Sequence, residues 1–327
     1  MNKLSIFALK ALRKLYTKSF GKTPVKPVCE QDPNKVSQII YDALMTNKPC
    51  MIARFGANEL NALINYKSIT SNSRSIYRYI KGEEFDWWWN DGIVKCLNEN
   101  AGFFPAKEDK IEQFCELMLR DIPEVDVLGS WQQNEMQFKN ELKEATKVRL
   151  MYLDPYWTSI PWTRALKGKK ILVVHPFSET IKKQYLKREL LFKNKDILPE
   201  FQSLSLVKAV QSIGNEANQF EDWFDALAFM KAEIDKCDYD ICLIGCGAYG
   251  FPLAAHVKRM RKKAVHLGGS LQLLFGIRGK RWEVDEPHYT LENVFIHYSG
   301  LSNEHWVRPS EDEKPSNHSK VEDSCYW

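Results

Sequence analysis

The sequence predicts an α/β protein of Rossmann-like design, a mostly parallel sheet with helices on both faces. Two observations carry that expectation. Short runs rich in Ile, Val and Leu recur along the chain, and segments of ten or more residues with helical periodicity lie between them. A third observation places a site: the turns where such a run gives way to a helix are rich in glycine and in charged or histidine side chains.

The elements follow in order. Residues 1–24 form a basic arm in which Leu4, Phe7, Ala8, Ala11, Leu12 and Leu15 fall at i, i+3, i+4 spacing, with Lys10, Arg13 and Lys14 beside them. Such an amphipathic helix suits contact of residues 1–20 with an anionic membrane surface. The apolar run is too short and too interrupted to span a bilayer, and no small-residue cleavage site follows it. After a proline-containing link, Thr23–Pro33, the pattern predicts a helix over 34–46, a strand at Cys50–Gly56 and a helix at Glu59–Tyr66. An aromatic and helical stretch, Ile76–Leu119, contains Trp87-Trp88-Trp89. Further strands are predicted at Val125–Trp131, Val148–Leu153, Lys170–His175, Ser203–Val207, Asp240–Gly245 and Ala264–Leu267. The main helices between them are Ser178–Phe192, Phe220–Ile234 and Phe251–Lys262. One domain thus covers 25–308. Residues 309–327 are polar and charged and read as a disordered tail.

Composition narrows the class. With 327 residues, 44% hydrophobic and 27% charged, the chain is long enough for a large core and ordinary for a globular protein. The formal charge of +4 is uneven: residues 1–27 hold Lys3, Lys10, Arg13, Lys14, Lys18, Lys22 and Lys26 and no acid. Removing those seven from the 46 basic residues leaves 39 against 42 acidic ones, so the basic character belongs to the arm and does not indicate a nucleic-acid partner. Eight cysteines are scattered with no C-x-x-C pair, the usage expected of reduced thiols in a cytoplasmic protein. Ten tryptophans can serve as platforms for sugar rings or as core.

Four segments carry candidate chemistry. In Ala53-Arg54-Phe55-Gly56-Ala57-Asn58-Glu59-Leu60, Arg54 suits a diphosphate, Gly56 a tight turn and Asn58 a helix cap, and Glu59 can hold a metal or take up a proton; an Arg–Glu ion pair is the plain alternative. In His175-Pro176-Phe177-Ser178-Glu179-Thr180, Ser178 opens a helix whose free amides can receive a phosphate, and His175 can act as donor or base. The third, Gly245-Cys246-Gly247-Ala248-Tyr249-Gly250, is a G-x-G-x-x-G after a strand, a pattern that admits a pyrophosphate. It lacks the acid about twenty residues on that holds a dinucleotide ribose, and it comes late for an S-adenosylmethionine site. The fourth joins His266, Gly268, Gly269 and Gln272 to Arg278-Gly279-Lys280-Arg281-Trp282; eight Lys or Arg and no carboxylate lie between Phe251 and Trp282. Lys280 and Arg281 suit a leaving diphosphate and Trp282 can stack on a base or sugar.

Arg54-Phe-Gly-Ala-Asn-Glu59-Leu60 resembles the opening motif of the GT-D-type glycosyltransferases, Rossmann-like bacterial proteins. The runs Ile244–Leu253, His266–Gln272 and Phe275–Trp282 are similar to proteins of bacterial surface-polysaccharide clusters. The resemblance implies transfer of a sugar from a nucleotide-sugar donor to a glycan acceptor, free or lipid-linked, by an enzyme at the cytoplasmic face of the cell membrane. It also implies an Asp-x-Glu pair holding Mn²⁺ or Mg²⁺. Here Glu59 matches the Glu, but Ala57 stands in place of the Asp. The expected catalytic groups are Glu59, His175 and His266. An S-adenosylmethionine-dependent methyltransferase using Gly245–Gly250, or a non-catalytic glycan-binding protein using the aromatics, are the alternatives.

Overall fold

The computed structural model describes residues 2–21, 25, 27–215, 219–283, 288–289, 295–321 and 323–327; Lys22, Thr23, Pro24 and Lys26 of the expected arm and link lie outside them. Seven short strands are formed by the predicted apolar runs: β1 (Cys50–Ala53), β2 (Val127–Ser130), β3 (Thr146–Arg149), β4 (Lys170–His175), β5 (Ser203–Lys208), β6 (Ile241–Ile244) and β7 (Lys263–His266). They build one wholly parallel sheet in the order β3-β2-β1-β7-β6-β4-β5. A separate pairing of His288–Tyr289 with Phe295–Ile296 is antiparallel. The predicted run Val148–Leu153 is strand only as far as Arg149, and Leu150–Leu153 coil into a 3₁₀ turn.

Successive strand residues point to opposite faces, and both faces are apolar. Met51, Ala53, Leu172, Val174, Cys242 and Ile244 enter one core, while Ile52, Ile171, Val173, Ile241, Leu243 and Val265 enter the other. That is why the runs read as continuously hydrophobic rather than alternating. The helices are α1 (Lys3–Phe20), α2 (Pro33–Met45), α3 (Ala57–Ile69), α4 (Ile76–Ile80), α5 (Asp91–Glu99), α6 (Glu108–Asp121), α7 (Ser178–Tyr185), α8 (Arg188–Leu191), α9 (Trp223–Asp235), α10 (Gly250–Arg259) and α11 (Leu271–Leu274). The first core takes residues of α3, α5, α6, α9 and α10; the second takes α2, α7, α8 and α11. Several begin on the side-chain caps that their sequences offer. Asp32, followed by Pro33, accepts from the amides of Asn34 and Lys35; Asn90 and Asp222 do the same for α5 and α9.

The described residues of 309–327, a stretch expected to be a disordered tail, lie against the second face instead. Val321, Cys325 and Trp327 are buried, and the buried Glu313 carboxylate accepts the backbone amides of Glu179 (2.7 Å) and Thr180 (3.2 Å). A few apolar anchors and one bonded carboxylate are enough to fix a segment whose average composition is polar. Among the described residues no helix is long and apolar enough to cross a membrane.

The sheet sets the position of a site in two ways. Neighbouring β4 and β6 send their connections to opposite faces, α7 to the second and α10 to the first, which makes a topological switch point. The register also aligns Ile52, Val265, Leu243 and Val173 in one row. Two residues farther along each strand stand Arg54, Leu267, Gly245 and His175, level along the carboxyl edge of the sheet.

Candidate functional site

A cavity of about 180 Å³ opens along that edge, walled by the turns after β1, β4, β5, β6 and β7 and by Trp131 after β2. Arg54 enters it directly from β1. The side chain is half-buried, its open surface being cavity wall, and its guanidinium lies 5.5 Å from the Trp131 ring centroid. Among the described residues it has no hydrogen-bond or ion-pair partner, so its donors are free for a ligand. Burial lowers its pKa, and the nearby Glu59 charge works against that shift. Five donors in a rigid fork, in a partly dehydrated setting, bind an oxyanion more strongly than they would in water.

Glu59 and Gly56 explain one another. A Cβ on Gly56 would fall 1.9 Å from Glu59 Oε2, so glycine leaves the space in which the carboxylate folds back on the start of α3. Burial raises the Glu59 pKa, opposed by the charge of Arg54 and by its own backbone amide. Gly56 occupies the cap position and Asn58, expected there, is the second residue of the helix; both line the cavity. Among the described residues Glu59 is the one Asp or Glu side chain lining the cavity, with Ala57 beside it, and no group of three His, Cys, Asp or Glu suited to a metal occurs among them. One carboxylate engaged with its own helix does not fit Mn²⁺ or Mg²⁺, which take several oxygen ligands.

Two histidines stand in the cavity wall with opposite hydrogen-bond polarity. His175 Nδ1 receives the backbone N–H of Phe177 at 3.0 Å, so the ring is neutral and its proton sits on Nε2. His266 Nδ1 faces the carbonyl of Ile244 at 3.4 Å; a carbonyl only accepts, so Nδ1 carries the proton and Nε2 keeps a lone pair. Burial depresses both pKa values to about 3, with the positive charge of Arg54 adding to the effect at His266. His175 is thereby a donor and His266 an acceptor. The base role left open for His175 in the sequence does not suit this tautomer.

The G-x-G-x-x-G segment serves packing more than phosphate binding. The amide of Gly245 donates to Val174, that of Ala248 to Ala101 and that of Tyr249 to Cys246. A Cβ on Gly250 would lie 2.1 Å from His266 Cε1, so its glycine makes room for the imidazole. Gly268, at φ +68°, sits in the left-handed region beside the stem of Arg54. Gly245, Gly247, Gly268 and Gly269 line the cavity, as does Tyr249, which is stacked on Trp223 at 4.9 Å and shares a hydrogen bond with Ser212.

Gln272 and Arg281 complete the opposite wall. Gln272 Nε2 donates to the carbonyls of Ile277 and Tyr326, leaving the buried Oε1 unbonded. Arg281 Nη1 lies 3.2 Å from Tyr326 Oη and reaches the cavity. The other basic residues of that run are dispersed: Lys258 pairs with Asp126 at 2.8 Å and Arg259 with Asp121 at 2.7 Å. Four expected binding residues, Ser178, Gly250, Lys280 and Trp282, lie outside the cavity lining. Ser178 is buried at a helix start already taken by Glu313, Lys280 Nζ donates to the carbonyl of Asp323, and Trp282 packs against Tyr326. Gly250 stands behind His266.

Comparison of the chain with protein-family models, with curated proteins and with solved structures returns no match. The site's own chemistry therefore carries the functional reading.

Several lining residues were not singled out in the sequence. Trp131, Gln211, Tyr326 and Trp327 all face the cavity, and Gln211 Nε2 is buried without a partner. Trp131 had a usable signal, a large aromatic at the carboxyl end of a strand. Tyr326 and Trp327 come from a segment whose composition hid them.

Proposed function

We propose that the protein is a glycosyltransferase that holds the diphosphate of a nucleotide sugar between Arg54 and Arg281. The observation that carries this reading is the Arg54 guanidinium, unpartnered among the described residues, at the carboxyl edge of the sheet, in a cavity that spans the β4–β6 switch point and whose described lining holds a second arginine and one acidic side chain. Charge favours an anionic ligand over S-adenosylmethionine, whose sulfonium would face two guanidinium groups. The cavity volume of about 180 Å³ suits a diphosphate and the sugar carbon attached to it, with the nucleoside extending toward the mouth and Trp131.

In this reading the acceptor hydroxyl oxygen bonds to the anomeric carbon while the bond from that carbon to the diphosphate oxygen breaks. The diphosphate takes the electron pair, and Arg54, Arg281 and the His175 Nε2–H stabilise its charge. The hydroxyl proton passes to His266 Nε2. A base with a pKa near 3 is weak in the free protein. Bound diphosphate neutralises the Arg54 charge and favours an imidazolium, so donor binding raises the basicity of His266 when it is needed. No metal enters this scheme.

A thermal-shift screen tests it, using nucleoside diphosphates, nucleotide sugars, S-adenosylmethionine and oligosaccharides, each with and without Mn²⁺. The proposal expects a shift with a nucleoside diphosphate that is the same with and without the metal. A shift with S-adenosylmethionine or an oligosaccharide, and none with any nucleotide, would reject it.

A further inference from the structure

The N-terminal helix α1 docks on the domain the wrong way round for a core-seeking amphipathic helix. Its polar and aromatic side faces inward: Arg13 Nη1 donates to the carbonyl of Glu84 at 2.9 Å and its Cζ lies 4.7 Å from the Tyr79 ring centroid, while Lys10 Nζ lies 3.9 Å from Asp86. Leu9 is its one buried residue. The opposite side is apolar and open, with Leu4 81%, Phe7 72%, Leu12 49% and Leu15 66% exposed. At 100° per residue these four fall within one face, and Lys3, Lys14 and Lys18 run as a row along one flank of it. Among the described residues Lys3, Lys14 and Lys18 have no ion-pair partner. On α4, against which α1 packs, Ile76 and Tyr77 are exposed as well.

We infer that α1 is a membrane-surface helix, which lays the Leu4–Phe7–Leu12–Leu15 face into the interface of an anionic lipid leaflet while the lysine row meets the headgroups. Charge complementarity selects this occupant. A stripe of large apolar residues bordered by unpaired lysines matches acyl chains beneath negative headgroups. A second copy packed antiparallel on the same face would set lysine row near lysine row. Docking through Arg13 holds the helix parallel to the surface and spares its apolar side. This inference is independent of the proposed transferase chemistry, because it needs no nucleotide.

The test is flotation of the full chain with vesicles of phosphatidylcholine containing about 30% phosphatidylglycerol, enough for a strong surface potential, against vesicles of phosphatidylcholine alone. The inference expects clear preference for the anionic vesicles. A Phe7→Ser/Leu15→Ser variant should bind at least about tenfold more weakly. A Lys14→Gln/Lys18→Gln variant should lose about fivefold per lysine on anionic vesicles and little on neutral ones. All four positions are exposed, so circular dichroism and the thermal midpoint should match the parent protein. Equal binding by parent and variants, or no binding to anionic vesicles, overturns the inference. So does a dimer seen by sedimentation that the Phe7→Ser/Leu15→Ser variant dissolves, since the face would then join two copies.

Discussion

Acidification offers a quantitative probe of the two cavity histidines. In the folded protein His175 and His266 titrate near 3 because burial penalises the imidazolium, whereas an unfolded chain titrates them near 6.5. A lowered folded pKa means that the stabilising contribution is complete above about 6.5 and is lost as pH falls toward 3. Between pH 7 and pH 4 the unfolded state takes up nearly one proton at each site and the folded state almost none, which costs about 3 kcal/mol per histidine. Asp154 works the other way. Burial raises its pKa to about 6, against the hydrogen bond from Tyr298, so its folded carboxyl holds a proton that the unfolded chain releases above about 4. Protonation of Asp154 therefore returns about 2 kcal/mol over the same interval, and the three groups together leave a net loss of about 4 kcal/mol. Against a typical total of about 5–15 kcal/mol, a change of that size is readily measured. The assay is urea unfolding at intervals from pH 4 to pH 7, comparing the parent with His175→Asn and His266→Asn. Asparagine preserves a group able to bond the Phe177 amide or the Ile244 carbonyl but does not titrate. Each variant should flatten the pH dependence by about 3 kcal/mol. Flattening of less than about 1 kcal/mol in both would show ordinary, hydrated histidines and refute the donor and acceptor assignments.

Other perturbations give separate readings. Asp154→Asn should steepen the acid loss, removing the opposing contribution of about 2 kcal/mol between pH 7 and pH 4 in the same urea series. Gly250→Ala would drive a Cβ to 2.1 Å from His266 Cε1, so the imidazole must shift; a stability loss of about 1–3 kcal/mol by calorimetry is expected, together with loss of any turnover that uses His266 as the proposed base. Glu313→Gln removes the negative charge held by the Glu179 and Thr180 amides at the start of α7 and should lower stability by about 1 kcal/mol, read as a lower urea midpoint.

The fold was legible because its strands are short apolar runs, fully buried at β1, β2 and β6 and nearly so at β4 and β7, with helically periodic segments between them. The site was legible where strand ends carry it: Arg54, His175, Gly245 and His266 follow from finding the carboxyl end of each strand. Roles that depend on distant partners were not. No local pattern shows that Glu313 fills the start of α7, that Gly250 exists to seat His266, or that Lys258 and Arg259 turn toward Asp126 and Asp121. Each of those contacts joins segments well separated in sequence and is created by packing. The tail was misread for the same reason: Val321, Cys325 and Trp327 are too sparse for a periodic signal, although each is buried.

The most direct test of the central claim is calorimetric titration of a nucleoside diphosphate into the parent protein and into Arg54→Gln, with the urea stability of both measured alongside. Loss of a bidentate guanidinium contact should weaken binding by about 3 kcal/mol, roughly a hundredfold. The free protein should meanwhile be no less stable, because the variant removes a buried charge that has no protein partner. Unchanged affinity, or a stability loss of more than about 1 kcal/mol with binding intact, would instead make Arg54 a structural residue and contradict the account.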